Sequence, residues 1–197
     1  MMNPEGSALL ILASASPRRQ ELLTLASVRF VVVPSDADET AKPGESPGEH
    51  VRRLARAKAA RVAERHAGRW VLAADTAVVI DERILGKPRE PREAEEMLRL
   101  LSGRVHEVLT GYCLLRFPSG EERERTVSSR VRFKDLSPEE IRRYTQTAEP
   151  YDKAGGYAIQ GRAAYMIREI QGSYTNVVGL PLCEVMEDLQ ELGTIGF

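Results

Sequence analysis

Acidic and basic side chains that could transfer a proton and bind an anion meet in residues 70–88, WVLAADTAVVIDERILGKP. Asp75 follows the apolar run at 71–74, which is typical of a buried strand, and the pattern places its carboxylate at the end of that strand. The chain then turns at 81–83 and reaches Lys87. The stretch therefore offers one acid and one base joined by an apolar hairpin. For an isolated ADT tripeptide, the plainer interpretation is a strand ending in a capping Asp.

A second group of charges follows the apolar run at 8–13, ALLILA, which predicts a buried strand. Ser16 suits the N-cap and Pro17 the first position of a helix. Arg18 and Arg19 then fall in the first turn, where the helix dipole disfavours cations. An anion bound at the helix start would resolve this conflict. Two solvated surface arginines are the alternative.

A lysine provides the third charge. The sequence SPGE at 46–49 is a capping box, and it predicts a helix from there to about His66. On a helical wheel Lys58 falls in the middle of the apolar face. A lysine in that position must either extend to solvent or meet an anion, and we expect an anion.

An acidic loop at 35–40, SDADET, precedes this helix. Its carboxylates lack the ligand spacing of an EF-hand calcium loop. One of them could share a magnesium ion with Asp75. Taken alone, the loop is more simply interpreted as a solvated turn.

The remaining elements predict the fold class. Further strands are predicted at 30–33, 105–117, 126–133, 164–170 and 174–178, and further helices from Pro91, from a second capping box at 137–140 and from Leu182. βα units in the first half and a hairpin in the middle favour a mixed, twisted α/β sheet flanked by helices.

Composition limits the protein class. The 197 residues, 42% hydrophobic and 29% charged, predict a globular chain, which we expect to form a single domain over 1–197. A net charge of −1 does not indicate a nucleic-acid coat. Cys113 and Cys183 have no CxxC spacing, and no apolar stretch has the length of a membrane span. We expect a cytoplasmic protein with neither nucleic-acid nor membrane partners.

Seven segments, taken together and in order, resemble the Maf family of nucleoside triphosphate pyrophosphatases, the septum-formation-like proteins. No single segment would suffice, but together they span nearly the whole chain. They are LASASPRRQELL at 12–23, LARAKA at 54–59, AADT at 73–76, GKP at 86–88, LSGRVHEVLTG at 101–111, DKAGGYAIQG at 152–161 and NVVGLPL at 176–182.

The resemblance implies hydrolysis of a nucleoside triphosphate to the monophosphate and pyrophosphate with a divalent metal, Mg²⁺ or Mn²⁺. Asp75 matches the family's proton acceptor, and Glu39 matches a carboxylate that would hold the metal together with Asp75. The residues that would bind the triphosphate are Ser14, Ser16, Arg19, Lys58 and Lys87.

The resemblance also implies a substrate. Arg18, Thr76 and Gln160 match the selectivity positions of the dTTP/UTP branch, whereas the branch resembling 7-methyl-GTP enzymes carries Trp, Gln and Glu. A glutamine amide can accept from the N3–H of uracil or thymine and donate to a carbonyl. Modified pyrimidine nucleotides such as pseudo-UTP and 5-methyl-UTP are further expected substrates. Their removal would prevent incorporation of non-canonical nucleotides or restrain cell division.

The architecture implied by the family is the inosine-triphosphatase-like α/β fold, with two lobes around a central cleft and commonly a homodimer. A non-catalytic nucleotide-binding regulator of septum formation is the alternative function. It predicts nucleotide binding without product, and an acid beside phosphate-binding bases makes it the weaker hypothesis.

Overall fold

A seven-stranded mixed β-sheet forms the centre of the computed structural model, which describes residues 9–195. Its strands are β1 (Leu10–Leu12), β2 (Phe30–Val32), β3 (Trp70–Ile80), β4 (Arg83–Leu85), β5 (Val105–Arg116), β6 (Glu121–Phe133) and β7 (Ile167–Gln171). The order is β2-β1-β3-β5-β6-β7, with β4 paired to β3. β1 is parallel to β2 and β3, and the other pairs are antiparallel. The mixed α/β prediction is confirmed.

Helices cover both faces of the sheet. They are α1 (Pro17–Leu25), α2 (Pro47–Ala63), α3 (Pro91–Leu101), α4 (Pro138–Thr145), α5 (Tyr174–Val178) and α6 (Leu182–Glu191), with 3₁₀ helices at Glu149–Asp152, Ala154–Gly156 and Arg162–Met166. None of the helices among residues 9–195 is long and apolar enough to cross a bilayer.

The core is divided by the alternation of side chains along β3. Val71 and Ala73 pack against Ala55 and Ala59 of α2 on one face. On the opposite face, one cluster joins β3 to α1 and α6 and a second joins it to α3 and α4. Adjacent residues of β3 therefore contact different helices.

β3 also leaves a gap in the sheet. β5 pairs with it from Trp70 to Val79, but on the other edge β1 pairs only at 71–72 and β4 only at 78–80. Residues 74–77 pair with neither of these two strands. Asp75 lies in this gap, in the middle of β3, so the prediction that it ends a strand is wrong. The strand continues because its pairing with β5 continues.

Both predicted capping boxes are present. The Ser46 side chain accepts from the Glu49 N–H, the Glu49 carboxylate accepts from the Ser46 N–H, and Ser137 and Glu140 make the same reciprocal bonds. These bonds satisfy backbone donors that would otherwise be unpaired at a helix start. α2 nevertheless ends at Ala63, three residues before the predicted His66.

Other boundaries differ from the prediction. Residues 174–178, predicted as a strand, form α5, because the Ser173 hydroxyl accepts from the Asn176 N–H and caps a helix. Residues 162–166 form a 3₁₀ helix before β7, and β6 begins at Glu121 instead of 126. The strand predicted at 8–13 begins at Ala8, which lies outside the described residues.

Candidate active site

A cleft of about 1070 Å³ opens at the gap in β3. The turn that follows β1 and the start of α1 (residues 13–19) line it, together with residues of the β3–β4 hairpin. All ten residues singled out from the sequence line this one cleft: Ser14, Ser16, Arg18, Arg19, Glu39, Lys58, Asp75, Thr76, Lys87 and Gln160. The volume is that of a site for a drug-sized or nucleotide-sized ligand.

Lys58 joins two carboxylates in this cleft. Its Nζ lies 2.7 Å from Asp75 Oδ1 and 2.6 Å from Glu39 Oε1, and only 11% of its side chain is exposed. Partial burial acts to raise the pKa of Glu39, but the hydrogen bond and charge of Lys58, together with the charges of Lys87 and Arg19, outweigh it and hold that pKa below its ordinary value. The lysine expected to meet an anion thus meets two protein carboxylates.

Gly111 brings this lysine close to the sheet. It pairs with Asp75 in the register of β3 and β5. A Cβ at this position would lie 2.6 Å from the carbonyl carbon of Val51 and 2.8 Å from the backbone nitrogen of Arg52, both in α2. Only a residue without a side chain allows α2 to pack this closely, and α2 carries Lys58.

Arg19 turns into the protein from the first turn of α1. Its Nε donates to the Gly179 carbonyl at 2.7 Å, and its terminal nitrogens donate to Ser14 Oγ at 3.2 Å and Thr76 Oγ1 at 3.1 Å. Burial lowers the pKa of Arg19 below its ordinary value, and the charge of Asp75 acts in the opposite direction. The guanidinium therefore has a fixed position beside Thr76.

The start of α1 differs in one detail from the prediction. The Ser16 backbone has the extended conformation of an N-cap, but its side chain makes no capping hydrogen bond. The Ser16 N–H instead donates to Ser14 Oγ at 3.2 Å. The predicted side-chain cap is wrong, and the strand-turn-helix arrangement is confirmed.

A buried hydrogen-bond chain continues from Thr76. Thr76 Oγ1 lies 2.9 Å from Thr110 Oγ1, and Thr110 donates to the Asn176 carbonyl at 3.2 Å. The Asn176 side-chain amide donates to the Val108 carbonyl and to Ser129 Oγ, each at 3.0 Å. This series of hydrogen bonds connects the cleft to β5, β6 and α5.

Three lining side chains, those of Arg18, Lys87 and Gln160, make no hydrogen bond or ion pair within residues 9–195. The backbone beside Lys87 is fixed, because the Gly155 N–H donates to the Gly86 carbonyl at 3.0 Å. The polar ends of these side chains have no protein partner among residues 9–195, and the backbone beside Lys87 is fixed. Both features suit contact with a ligand.

The paired glycines at 155 and 156 have a packing role. Both have positive φ, and added Cβ atoms would lie 2.9 Å from Val78 and 3.3 Å from Pro88. Neither glycine is among the residues lining the cleft. These glycines allow close packing against the β3–β4 hairpin and Pro88.

Two groups of side chains could hold a cation. In the cleft, Glu39 and Asp75 supply carboxylate oxygens, the ligands that Mg²⁺ and Mn²⁺ prefer. Within residues 9–195, Cys113, Glu122 and Glu124 also come together, but they do not line the cleft. Arg56 pairs with both of these glutamates, at 2.8 and 3.4 Å. The residues in the cleft fit a hard divalent cation.

A family model described as Maf-like protein matches residues 9–192. The chain belongs to this family. Named relatives of the Maf-like chain are dTTP/UTP pyrophosphatases from Syntrophus aciditrophicus (strain SB), Geobacter sp. (strain M21) and Geotalea uraniireducens (strain Rf4). In that order, they are 54%, 52% and 53% identical to this chain. The matches cover 95%, 95% and 94% of this chain, and 92%, 97% and 96% of the relatives' own lengths.

Three further residues shape the Maf-like site, and sequence reasoning assigned no role to any of them: Thr110, Gly111 and Gly179. All three lie inside segments that carry the family resemblance, which is the one available signal. Their roles depend on backbone contacts with distant elements. Periodicity and spacing do not report such contacts.

Proposed function

We propose that this chain hydrolyses dTTP and UTP to the nucleoside monophosphate and pyrophosphate. The observation that carries the proposal is the convergence of the ten residues on one cleft, with Asp75 and four basic side chains among them. The names of relatives that are more than 50% identical over nearly the whole chain support the same activity.

In the proposed reaction, water attacks the α-phosphorus and the bond to the α–β bridging oxygen breaks. Asp75 accepts the proton of the attacking water. Lys58 engages Asp75 Oδ1, so the other carboxylate oxygen remains available as the base. Negative charge grows on the departing pyrophosphate, and Arg19, Lys58 and Lys87 stabilise it electrostatically.

Glu39 and Asp75 would hold the divalent cation, Mg²⁺ or Mn²⁺. When bound, this cation supplies positive charge that neutralises the triphosphate oxygens. Lys58 Nζ contacts both carboxylates. The charge of this lysine therefore lies beside the proposed cation site, where it would add to the positive charge that faces the triphosphate.

Arg18, Thr76 and Gln160 would select the base. The amide of Gln160 has no protein partner within residues 9–195 and can pair with both the N3–H and a carbonyl of uracil or thymine. Recognition at these atoms also suits pseudo-UTP and 5-methyl-UTP. We propose these modified pyrimidine nucleotides as additional substrates.

The cellular location, oligomeric state, partners and cellular role are proposed from the family resemblance and from composition. We propose a cytoplasmic homodimer acting on free nucleotides, without nucleic-acid or membrane partners. A net charge of −1 supports free nucleotides, because it provides no general attraction to a polyanion. Removal of non-canonical nucleotides, or restraint of cell division, would be the cellular role.

The test is pyrophosphate release from dTTP in the presence of Mg²⁺. Asp75→Asn removes the proton acceptor and is expected to lower kcat by at least about 100-fold. Asp81→Asn is the matched control, because Asp81 lies in the β3–β4 turn outside the cleft and pairs with Arg104. Gln160→Glu is expected to shift preference away from dTTP. Unchanged turnover in Asp75→Asn would refute the mechanism, and saturable binding without product would favour the regulator hypothesis.

A further inference from the structure

The carboxylate of Glu149 holds the chain immediately after Gln160. Its Oε2 accepts from the Arg162 N–H at 2.9 Å, and its Oε1 accepts from the Ala163 N–H at 3.2 Å. These two N–H groups begin the 3₁₀ helix Arg162–Met166, where backbone donors have no partner within the helix. Glu149 thus acts as a charged cap supplied from 13 residues earlier in the chain.

Gly161 fits closely against this carboxylate. A Cβ on Gly161 would lie 2.4 to 2.5 Å from the Glu149 carboxylate atoms, so any larger residue would displace the contact. The Gly161 N–H also donates to the Ala158 carbonyl at 3.1 Å. This bond closes a tight turn around Gln160. The backbone of Gln160 is therefore fixed on both sides.

The Gln160 side chain has no such support. It is exposed, lines the cleft and makes no hydrogen bond within residues 9–195. The direction in which its amide enters the cleft thus depends on the backbone that carries it. That backbone is held by Glu149, with Tyr144 Oη donating to Glu149 Oε1 at 2.9 Å from the far side.

We infer that Glu149 is a positioning residue for nucleobase recognition, acting through Gln160. This inference rests on the proposed function, in which Gln160 reads the base. The carboxylate itself does not line the cleft, so its effect passes through the backbone of residues 160–163.

Glu149→Gln tests the role with little change in size. The substitution replaces one acceptor oxygen by an amide donor that faces backbone N–H donors, and a cap bond is lost. We expect KM for dTTP to rise about tenfold with a smaller change in kcat, and the preference for dTTP over dGTP to fall about tenfold. Glu149→Asp keeps two acceptors and is expected to retain part of the preference.

Tyr144→Phe is the matched control for lost stability. It removes one hydrogen bond to Glu149 and leaves both backbone bonds in place. The preference for dTTP over dGTP should stay within about twofold of wild type. Melting curves of all variants separate misfolding from misplacement of Gln160.

The deciding measurement is a double-mutant cycle between Glu149→Gln and Gln160→Ala. If Glu149 acts through Gln160, adding Glu149→Gln to Gln160→Ala produces no further loss of preference. Additive losses, or an unchanged preference in folded Glu149→Gln, would overturn the inference. An unchanged preference in Gln160→Ala would instead overturn the assignment of Gln160 and this inference with it. Equilibrium binding of dTTP and dGTP gives a second readout that does not require hydrolysis.

Discussion

Thr76 and Thr110 share a hydrogen bond whose direction limits what Thr76 can offer a ligand in the cleft. Arg19 donates to Thr76 Oγ1, and Thr110 donates to the Asn176 carbonyl. The Thr76 proton must then point to Thr110 at 2.9 Å, or else to the Gly179 carbonyl at 3.4 Å. In either arrangement the protein uses that proton. Thr76 therefore presents an acceptor to the cleft, and it holds Arg19 in place.

Thr110→Val tests this at the scale of the residue. The change keeps the buried shape but removes the hydroxyl, leaving the Asn176 carbonyl without that donor. We expect a loss of about 1 kcal/mol in the free energy of unfolding and a several-fold rise in KM for dTTP, because Arg19 and Thr76 lose their fixed geometry. Thermal melts and steady-state kinetics measure the two effects.

Thr126→Val is the control, because Thr126 is exposed on the neighbouring strand β6. It accounts for the general effect of a Thr to Val change in a strand. Identical KM and melting temperature in the Thr110 and Thr126 variants would show that the hydrogen-bond chain has no role at the site.

At the scale of elements, β3 distributes the chemistry between two faces of the sheet. Asp75 meets Lys58 from α2 on one face, and Thr76 meets Arg19 from α1 on the other. Successive strand residues point in opposite directions, so two adjacent residues can serve both faces. The gap between β1 and β4 leaves both of them accessible from one cleft.

The packing of α2 on β5 sets the distance between Lys58 and Asp75, and Gly111→Ala tests it. A methyl group at position 111 would lie within 2.6 to 2.8 Å of the α2 backbone, which cannot move without carrying Lys58 away. We expect a loss of about 1–3 kcal/mol in stability and a fall in kcat for dTTP. Chemical denaturation and kinetics measure both quantities.

Gly48→Ala is the control within the same helix. Gly48 lies in the first turn of α2, and an added Cβ would have no atom within 4 Å. Alanine there is expected to stabilise the helix by up to about 1 kcal/mol without altering kcat. A folded Gly111→Ala protein with wild-type kcat would refute the proposed link between helix packing and catalysis.

At the scale of the molecule, a buried histidine links stability to pH. His106 is 2% exposed, and its Nε2 lies 2.7 Å from Tyr157 Oη. Burial lowers the pKa of His106 from 6.5 to about 4. Between about pH 4 and pH 6.5, His106 is protonated in the unfolded chain but not in the folded protein. Stability is therefore expected to fall as the pH falls from about 6.5 to about 4.

His106→Gln should reduce this dependence, by an amount on the order of 2 kcal/mol between pH 7 and pH 5. Melting temperatures of wild type and variant across this range measure the difference. Tyr157→Phe should keep the dependence, because burial of the histidine is its cause. If the melting temperatures of wild type and His106→Gln changed in parallel with pH, the assignment of the pH dependence to His106 would be contradicted.

The family match also bears on the whole molecule. It spans residues 9–192, from before β1 to the end of α6. The cleft is lined by residues from Ala13 to Val178, so the site draws on most of this length. We propose on these grounds that the chain works as a single domain, and the two-lobed arrangement implied by the family stays a prediction.

The sequence alone determined the features that depend on near neighbours. The capping boxes at Ser46 and Ser137 were predictable because each bond joins residues three positions apart. The strand-turn-helix at Ser16 was predictable from an apolar run followed by Ser-Pro. Nine of the ten cleft residues lie in segments that resemble one family, and Glu39, in the loop at 35–40, was matched to a carboxylate of that family. For these residues the local sequence was enough.

Tertiary structure alone decided how those residues meet. The sequence placed Asp75 at a strand end, whereas pairing with β5 extends β3 past it and the gap between β1 and β4 exposes it. Arg19 is positioned by the carbonyl of Gly179, 160 residues away. Every residue carries a carbonyl and no side-chain pattern marks the one that will be used, so only the folded chain brings this donor and acceptor together.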